Sequence, residues 1–90
     1  MHIARQVRVT GRVQGVFFRA WTAEQARDLG VNGWVWNASE GSVEARLQGE
    51  EIAVNQLIER MREGPDGAEV TNVEIADAEP ENMDHFTVRH

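Results

Sequence analysis

Two segments with helical periodicity, each lying between segments with strand periodicity, constrain most strongly how this chain folds. Residues 3–13 alternate apolar and polar side chains, which is typical of a half-buried strand. From Phe18 to Leu29 the spacing changes to that of one helix face, and Gly30 follows as a C-terminal cap. The first third of the chain therefore predicts a strand, a glycine-containing loop and a helix.

A hairpin and a second helix are predicted in the middle of the chain. Residues 33–37 and 42–47 flank a short turn that contains Gly41, as two paired strands do. Residues 50–63 carry apolar side chains at i, i+3, i+4 and i+7, with acidic residues in the first turn, where the helix dipole favours negative charge. The segment 64–67, which contains proline and two glycines, ends this helix.

Two further strand-like segments complete the pattern. Residues 70–75 predict a fourth strand, and Phe86 with Val88 predicts a short terminal one. Between them, residues 78–84 are acidic and contain Pro80. We expect this loop to be the most mobile part of the molecule.

This order of elements is βαββαβ with an added terminal strand, which is the ferredoxin-like arrangement. We therefore expect an α/β sandwich in which an antiparallel sheet carries two helices on one face and ends in a short C-terminal strand. In such a fold the first and second strands run parallel with the third between them, so their carboxyl ends lie along one edge. The loop after Val13 and the side chain of Asn37 should then meet in space.

Length and composition exclude several classes of protein. Ninety residues predict a single domain, residues 1–90, because domains usually span roughly 100–200 residues. The absence of cysteine excludes disulfides, thiolate metal sites and a cysteine nucleophile. The three histidines are scattered without ligand spacing, so we expect no metal site. No apolar run approaches the length of a membrane helix, and we expect a cytoplasmic protein without a membrane segment.

Charge is unevenly distributed along the chain, whose net charge is −6. Residues 1–36 hold five arginines against two acids, a net of +3, and residues 37–90 hold four arginines against thirteen acids, a net of −9. Nucleic-acid binding needs a basic face to contact phosphates, and this balance argues against it. A small anionic ligand bound at one place fits the pattern better.

The segment GRVQGVFFR, residues 11–19, is the strongest candidate for such a site. Between a strand and a helix, backbone N–H groups of the loop and of the helix start can turn towards one anion. Arg19 adds a planar guanidinium suited to two phosphate oxygens. The alternative is an ordinary turn whose glycines relieve backbone strain and whose arginine is a surface charge.

Asn37 stands at the corresponding end of the second predicted strand. Its carboxamide can accept a hydrogen bond from a water molecule that faces a bound phosphate, and can donate one to it. The alternative is that Asn37 only forms the turn of the hairpin. Its predicted position beside Arg19 at one edge of the sheet favours the interpretation that it binds this water molecule.

The segment VTGRVQGVFFR, the segment GWVWN ending eighteen residues beyond Arg19, and Gly-Pro after the second helix together resemble the acylphosphatase family. The resemblance covers nearly the whole chain. It implies that Arg19 binds phosphate and that Asn37 orients the attacking water, and these two form the catalytic pair. The phosphate-binding loop it implies consists of Gln14, Gly15, Val16, Phe17, Phe18 and Arg19. The chain departs from the common pattern at Thr10 and Trp36, neither of which belongs to that pair.

The resemblance also implies the reaction, which is hydrolysis of the carboxyl–phosphate bond of small acyl phosphates to a carboxylate and inorganic phosphate. A carboxylate leaves without a general acid, since its conjugate acid has a pKa of about 4. The enzyme then has mainly to position water and neutralise phosphate oxygens. The family implies no metal or other cofactor, with a phosphate oxygen of the substrate accepting the proton. We expect a monomer that inorganic phosphate inhibits.

Two other functions are weighed against this one. A ferredoxin-like module that binds an anion or regulates a partner without catalysis is the main alternative, because this fold hosts many functions. It has no use for a water-holding amide beside Arg19. RNA binding on the open sheet face would need exposed aromatic residues with a basic surface, and Phe17 and Trp36 are the aromatic residues whose role the sequence leaves open.

Overall fold

The computed structural model describes residues 1–90, and its helices and strands follow the predicted order. The strands are β1 (His2–Arg12), β2 (Asn32–Asn37), β3 (Val43–Glu50), β4 (Glu69–Ala78) and β5 (Phe86–Val88). The helices are α1 (Phe18–Leu29) and α2 (Glu51–Glu63). The helix bounds lie within one residue of the predicted ones, because the apolar period and the glycine after each helix define them.

The five strands form one sheet in the order β4-β1-β3-β2-β5. Strands β1 and β2 both pair antiparallel with β3, so they run parallel to each other with β3 between them, as predicted. Strand β5 pairs parallel with β2, so the sheet is mixed, whereas the sequence analysis describes it as antiparallel with a short C-terminal strand. The predicted ferredoxin-like fold is otherwise confirmed.

The core lies between the two helices and the inner face of the sheet. Helix α2 buries the four apolar residues predicted from its periodicity, Val54, Leu57, Ile58 and Met61. Helix α1 ends at Gly30, whose left-handed conformation (φ 73°) lets its N–H bond the carbonyl oxygens of the last turn. Burial of these apolar faces is the main source of stability, at roughly 25 cal/mol per Å² of apolar surface.

The loop between β4 and β5, which the sequence leads us to expect to be the most mobile segment, is hydrogen-bonded to the sheet. The Glu81 N–H donates to Gln48 Oε1 over 2.7 Å, and Gln48 Nε2 donates to the Glu81 carbonyl over 2.7 Å. Asn32 Nδ2 donates to the Met83 carbonyl over 3.0 Å, and Arg46 pairs with the Glu81 carboxylate. The loop therefore covers one end of the outer sheet face.

The strand register determines which residues meet at the end of the sheet. Val43 in β3 lies opposite Val9 of β1 on one side and opposite Asn37 of β2 on the other. The loop that follows β1 therefore begins close to the end of β2. Neither helix has the length and apolar character needed to cross a membrane.

Leu57→Ala tests the packing of α2. Leu57 is fully buried, so we expect the free energy of unfolding to fall by about 2–5 kcal/mol, since truncation loses buried surface and leaves a cavity. Ile52→Ala on the same helix is the control, because Ile52 is 75% exposed, and we expect its effect to stay within about 0.5 kcal/mol. Urea denaturation measures both, and equal losses would contradict the assignment of the buried face.

Candidate active site

A cleft of about 340 Å³ lies where the β1–α1 loop, the start of α1, the end of β2 and the segment after β5 meet. Its lining residues are Val13, Gly15, Phe17, Phe18, Arg19, Ala20, Asn37, Val88 and His90. Arg19 and Asn37, which lie eighteen positions apart in the sequence, thus share one cleft, as the topology predicts. No carboxylate side chain lines it, so Arg19 makes the cleft favourable for an anion.

The β1–α1 loop presents a row of unpaired backbone N–H groups. Gly15 (φ 74°) and Phe17 (φ 62°) both adopt left-handed conformations, and alternation of this kind turns successive N–H groups towards one side. None of the N–H groups of residues 13–17 donates to another backbone group. The first bond of α1 runs from the Trp21 N–H to the Phe17 carbonyl, which leaves the N–H groups of residues 18–20 outside the helix ladder.

The backbone conformation at position 15 favours glycine. A Cβ atom built on Gly15 would meet no other atom within 4 Å, so space does not exclude a side chain there. The positive φ does disfavour other residues. The open space above Gly15 leaves room for an anion against the loop.

Arg19 lies in the first turn of α1 and is held on one side by the segment after β5. Its Nη1 donates to the Arg89 carbonyl over 2.8 Å and lies 3.2 Å from His90 Nδ1. Arg89 itself is anchored, because its N–H donates to the Val35 carbonyl and its guanidinium stacks 4.5 Å above the centre of the Trp34 ring. The remaining N–H groups of Arg19 make no hydrogen bond to the protein.

Asn37 ends β2, and its side chain takes no part in the hairpin turn. The turn is closed by backbone bonds, from the Ala38 N–H to the Ser42 carbonyl and from the Gly41 N–H to the Ala38 carbonyl. Asn37 Oδ1 is buried and has no donor of the protein within hydrogen-bond distance. Asn37 lines the cleft, although this oxygen is shielded from solvent, and a buried unpaired oxygen is destabilising.

Gln14 connects the two halves of the cleft. Its Nε2 donates to the Ala38 carbonyl over 2.9 Å and to the Ser42 carbonyl over 3.0 Å. Both N–H groups of this amide are thus engaged in the hairpin that follows Asn37. Gln14 can therefore offer an anion its backbone N–H but not its side chain.

A second connection joins β1 to the same hairpin on the outer sheet face. Arg8 pairs with the Glu40 carboxylate, and Arg8 Nε donates to Ser42 Oγ over 3.4 Å. The Ser42 hydroxyl donates to Glu40, and together with Arg8 it holds the pKa of Glu40 below its ordinary value. Glu40 therefore stays ionised and neutralised by Arg8.

The other loop residues and the aromatic residues divide between core and surface. Phe18 is buried and packs edge-to-face on Trp21 with ring centres 5.6 Å apart, so only its backbone N–H is available to a ligand. Val16 packs against the core from the outside. Phe17 and Trp36 are exposed, on the cleft and on the other sheet face respectively. These rings do not form the contiguous platform that base stacking requires.

Arg89 and His90 are the neighbours of Arg19 that the sequence reasoning missed. The contact of Arg89 uses a backbone carbonyl, which every residue has and which therefore carries no sequence signal. Only the parallel pairing of β5 with β2 brings this segment to Arg19.

Comparisons with known proteins agree with the geometry. The family model described as Acylphosphatase matches residues 5–88. An acylphosphatase of Rhizobium etli is 52% identical over 80 residues, covering 89% of this chain and 85% of that protein. An acylphosphatase of Haloarcula marismortui is 48% identical over 88 residues, covering 98% of this chain and 97% of that protein. The solved structure of an acylphosphatase from Coxiella burnetii has a TM-score of 0.94 and 40% identity, covering 98% of this chain and 93% of that one.

Gln14→Ala tests the connection across the cleft. We expect the free energy of unfolding to fall by about 1–2 kcal/mol, because two hydrogen bonds are lost while both carbonyls keep their turn bonds. Gln56→Ala is the matched control, since Gln56 is exposed on α2 and makes no side-chain hydrogen bond. Chemical denaturation of both variants measures the difference, and equal effects would show that the connection does not stabilise the fold.

Proposed function

The chain belongs to the acylphosphatase family, and from that premise we propose that Arg19 binds the phosphoryl group while Asn37 holds the attacking water. The chain is an acylphosphatase, an enzyme that hydrolyses the carboxyl–phosphate bond of acyl phosphates. The observation that carries the proposal is that Arg19, Asn37 and the β1–α1 loop line one cleft. We propose further that residues 1–90 act as a single domain and a monomer, since one chain supplies all these groups.

The β1–α1 loop binds the phosphate through its backbone. Its unpaired N–H groups and those at the start of α1 face an anion with partial positive charge, as helix N-termini do. The first turn of α1 contains no acidic residue that would repel it. Gly15 permits close approach of the phosphate to the backbone. Inorganic phosphate, the product, binds in the same place and inhibits.

Arg19 stabilises the charge that is spread over the phosphate oxygens in the transition state. Its Nη1 is fixed by the Arg89 carbonyl, which orients the guanidinium plane before substrate binds. Its unbonded N–H groups then donate to two oxygens of the phosphoryl group. Donors oriented in advance need no reorganisation during the reaction, which is why such groups contribute strongly to rate.

The Asn37 carboxamide hydrogen-bonds the water molecule, and the oxygen lone pair of that water is left to attack phosphorus. The new bond forms between the water oxygen and phosphorus, and the bond from phosphorus to the acyl oxygen breaks with its electron pair leaving on the carboxylate. A phosphate oxygen takes the proton of the water. In-line geometry requires the water opposite the leaving carboxylate.

Anion binding without catalysis is the remaining alternative, and Asn37 separates the two. The backbone N–H groups and Arg19 would suffice for an anion-binding module. A carboxamide beside Arg19 can hydrogen-bond a water molecule, a function that anion binding alone does not require. The geometry therefore supports hydrolysis better than simple anion binding.

Arg19→Ala tests phosphate binding. We expect activity to fall by on the order of 10²-fold or more and inhibition by phosphate to weaken, because a major donor to the oxygens is removed. Phosphate release from benzoyl phosphate, measured with and without a chelator, gives the rates. Arg62→Ala is the matched control, since Arg62 lies on α2 and pairs only with Glu59. Unchanged phosphate inhibition in folded Arg19→Ala would place the anion elsewhere.

Asn37→Ala tests the water-holding role. We expect kcat to fall sharply while phosphate inhibition changes only a few-fold, because the carboxamide contacts the water and not the phosphate. Stability should be retained or rise, since the substitution removes an unpaired buried oxygen. Thermal unfolding, phosphate inhibition and turnover are measured on the one variant. A variant that melts lower yet turns over at nearly the wild-type rate would contradict the proposal.

A further inference from the structure

The turn between β2 and β3, residues 38–42, extends beyond the strand pairs that join β3 to β1. The last of those pairs is formed by Val9 and Val43. The backbone hydrogen bonds of the turn close it on itself and do not reach β1. Its position relative to β1, and to the β1–α1 loop that continues from β1, therefore depends on side chains.

Two side chains reach this turn from different directions. Gln14 comes from the cleft and donates to the carbonyl oxygens of Ala38 and Ser42. Arg8 comes from the outer sheet face, pairs with the Glu40 carboxylate and donates from Nε to Ser42 Oγ over 3.4 Å. The turn is thus attached both to the β1–α1 loop and to β1 itself.

Ser42 joins these two attachments and is fully buried, at 0% exposed. Its carbonyl accepts from the Ala38 N–H and from Gln14 Nε2. Its hydroxyl donates to Glu40 Oε1 over 3.0 Å and accepts from Arg8 Nε. Since the other oxygen of Glu40 accepts from Arg8, both carboxylate oxygens are engaged, and a displacement of Glu40 is transmitted to the turn through Ser42.

The contact between Arg8 and Glu40 differs from an ordinary surface ion pair, which contributes little. Both side chains are partly exposed, but Glu40 is also bonded to the buried Ser42 hydroxyl. Arg8 lies opposite Glu44 of β3 and opposite Glu74 of β4. The hydrogen bond to Glu40 raises the pKa of Arg8 most, and the charges of the other two carboxylates raise it further. Three carboxylates therefore favour the charged guanidinium at this place.

We propose that Glu40 is a positioning residue for the reaction: by attaching the turn to β1, it holds Asn37 at the distance from the β1–α1 loop that attack by water requires. The inference rests on the proposed function, in which Asn37 holds that water. The backbone bonds close the hairpin without Glu40. Without this carboxylate the turn is still held by Gln14 from the cleft, but its outer attachment is lost and the position of Asn37 varies.

Glu40→Gln tests the proposal, because it removes the charge at nearly constant size and leaves one acceptor oxygen for two donors. We expect kcat for benzoyl phosphate to fall about three- to tenfold, since a displacement of 1 Å costs on the order of 10²-fold and Gln14 limits the movement. Inhibition by inorganic phosphate should stay within about twofold, because Glu40 contacts no residue of the loop. Ser42→Ala removes the other end of the same attachment and should give the same result.

Combining Glu40→Gln with Asn37→Ala distinguishes positioning from a general loss of stability. A residue that acts through Asn37 has no effect on turnover once the carboxamide is gone, so the double variant should turn over at the rate of Asn37→Ala. A further loss of the same size in the double variant would overturn the proposal. So would unchanged kcat in Glu40→Gln, or a parallel weakening of phosphate inhibition.

Glu81→Gln is the matched control, because Glu81 pairs with Arg46 at the outer sheet face and lies outside both the turn and the cleft. We expect its kcat to equal that of the wild type, and a loss as large as that of Glu40→Gln would count against positioning. Thermal unfolding shows that each variant is folded at the assay temperature, and Ser42→Ala replaces Glu40→Gln if the latter is not. Full activity of Asn37→Ala would instead refute the proposed function.

Discussion

The pairing of β3 with β1 on one side and with β2 on the other is the constraint on which the rest of the structure depends. It brings the ends of β1 and β2 to one edge, with Val43 opposite both Val9 and Asn37. The loop that we propose binds phosphate continues from the first of these strands, and Asn37, which we propose holds the water, ends the second. Gln14 then fixes the distance between them with two hydrogen bonds. A slip of one residue in the β2–β3 register would turn Asn37 to the opposite face of the sheet.

Most of the fold could be predicted because its information lies in apolar periodicity. The buried face of α2 and the ends of both helices follow from residue spacing and from the glycines after them. The parallel pairing of β5 with β2 could not be predicted, because the residue pattern of a three-residue strand is too short to indicate which strand it pairs with. The attachment of the β4–β5 loop could not be predicted either. It depends on two hydrogen bonds between the Gln48 side chain and the Glu81 backbone, which leave no periodic pattern in the sequence.

The candidate site likewise has some features that the sequence predicts and others that it does not. Arg19, Gly15 and Asn37 could be proposed from their positions at the ends of elements, where the chemistry of each residue type is informative. The direction of the Gln14 side chain and the support of Arg19 by the Arg89 carbonyl could not, because both depend on backbone atoms of other segments. The left-handed conformation of Phe17 was equally hidden, since residue type gives no sign of it.

The assembly of the cleft from distant segments has a kinetic consequence. Gln14 reaches partners 24 and 28 positions away, and Arg19 is held by a carbonyl 70 positions away. Contacts of such long sequence separation form late, since large loops must close first, and they make folding slower than that of a helical bundle of similar size. A nascent or partly folded chain, in which β5 has not yet docked on β2, therefore lacks the support of Arg19. The complete cleft therefore exists only after β5 has paired with β2, because that pairing brings the Arg89 carbonyl to Arg19.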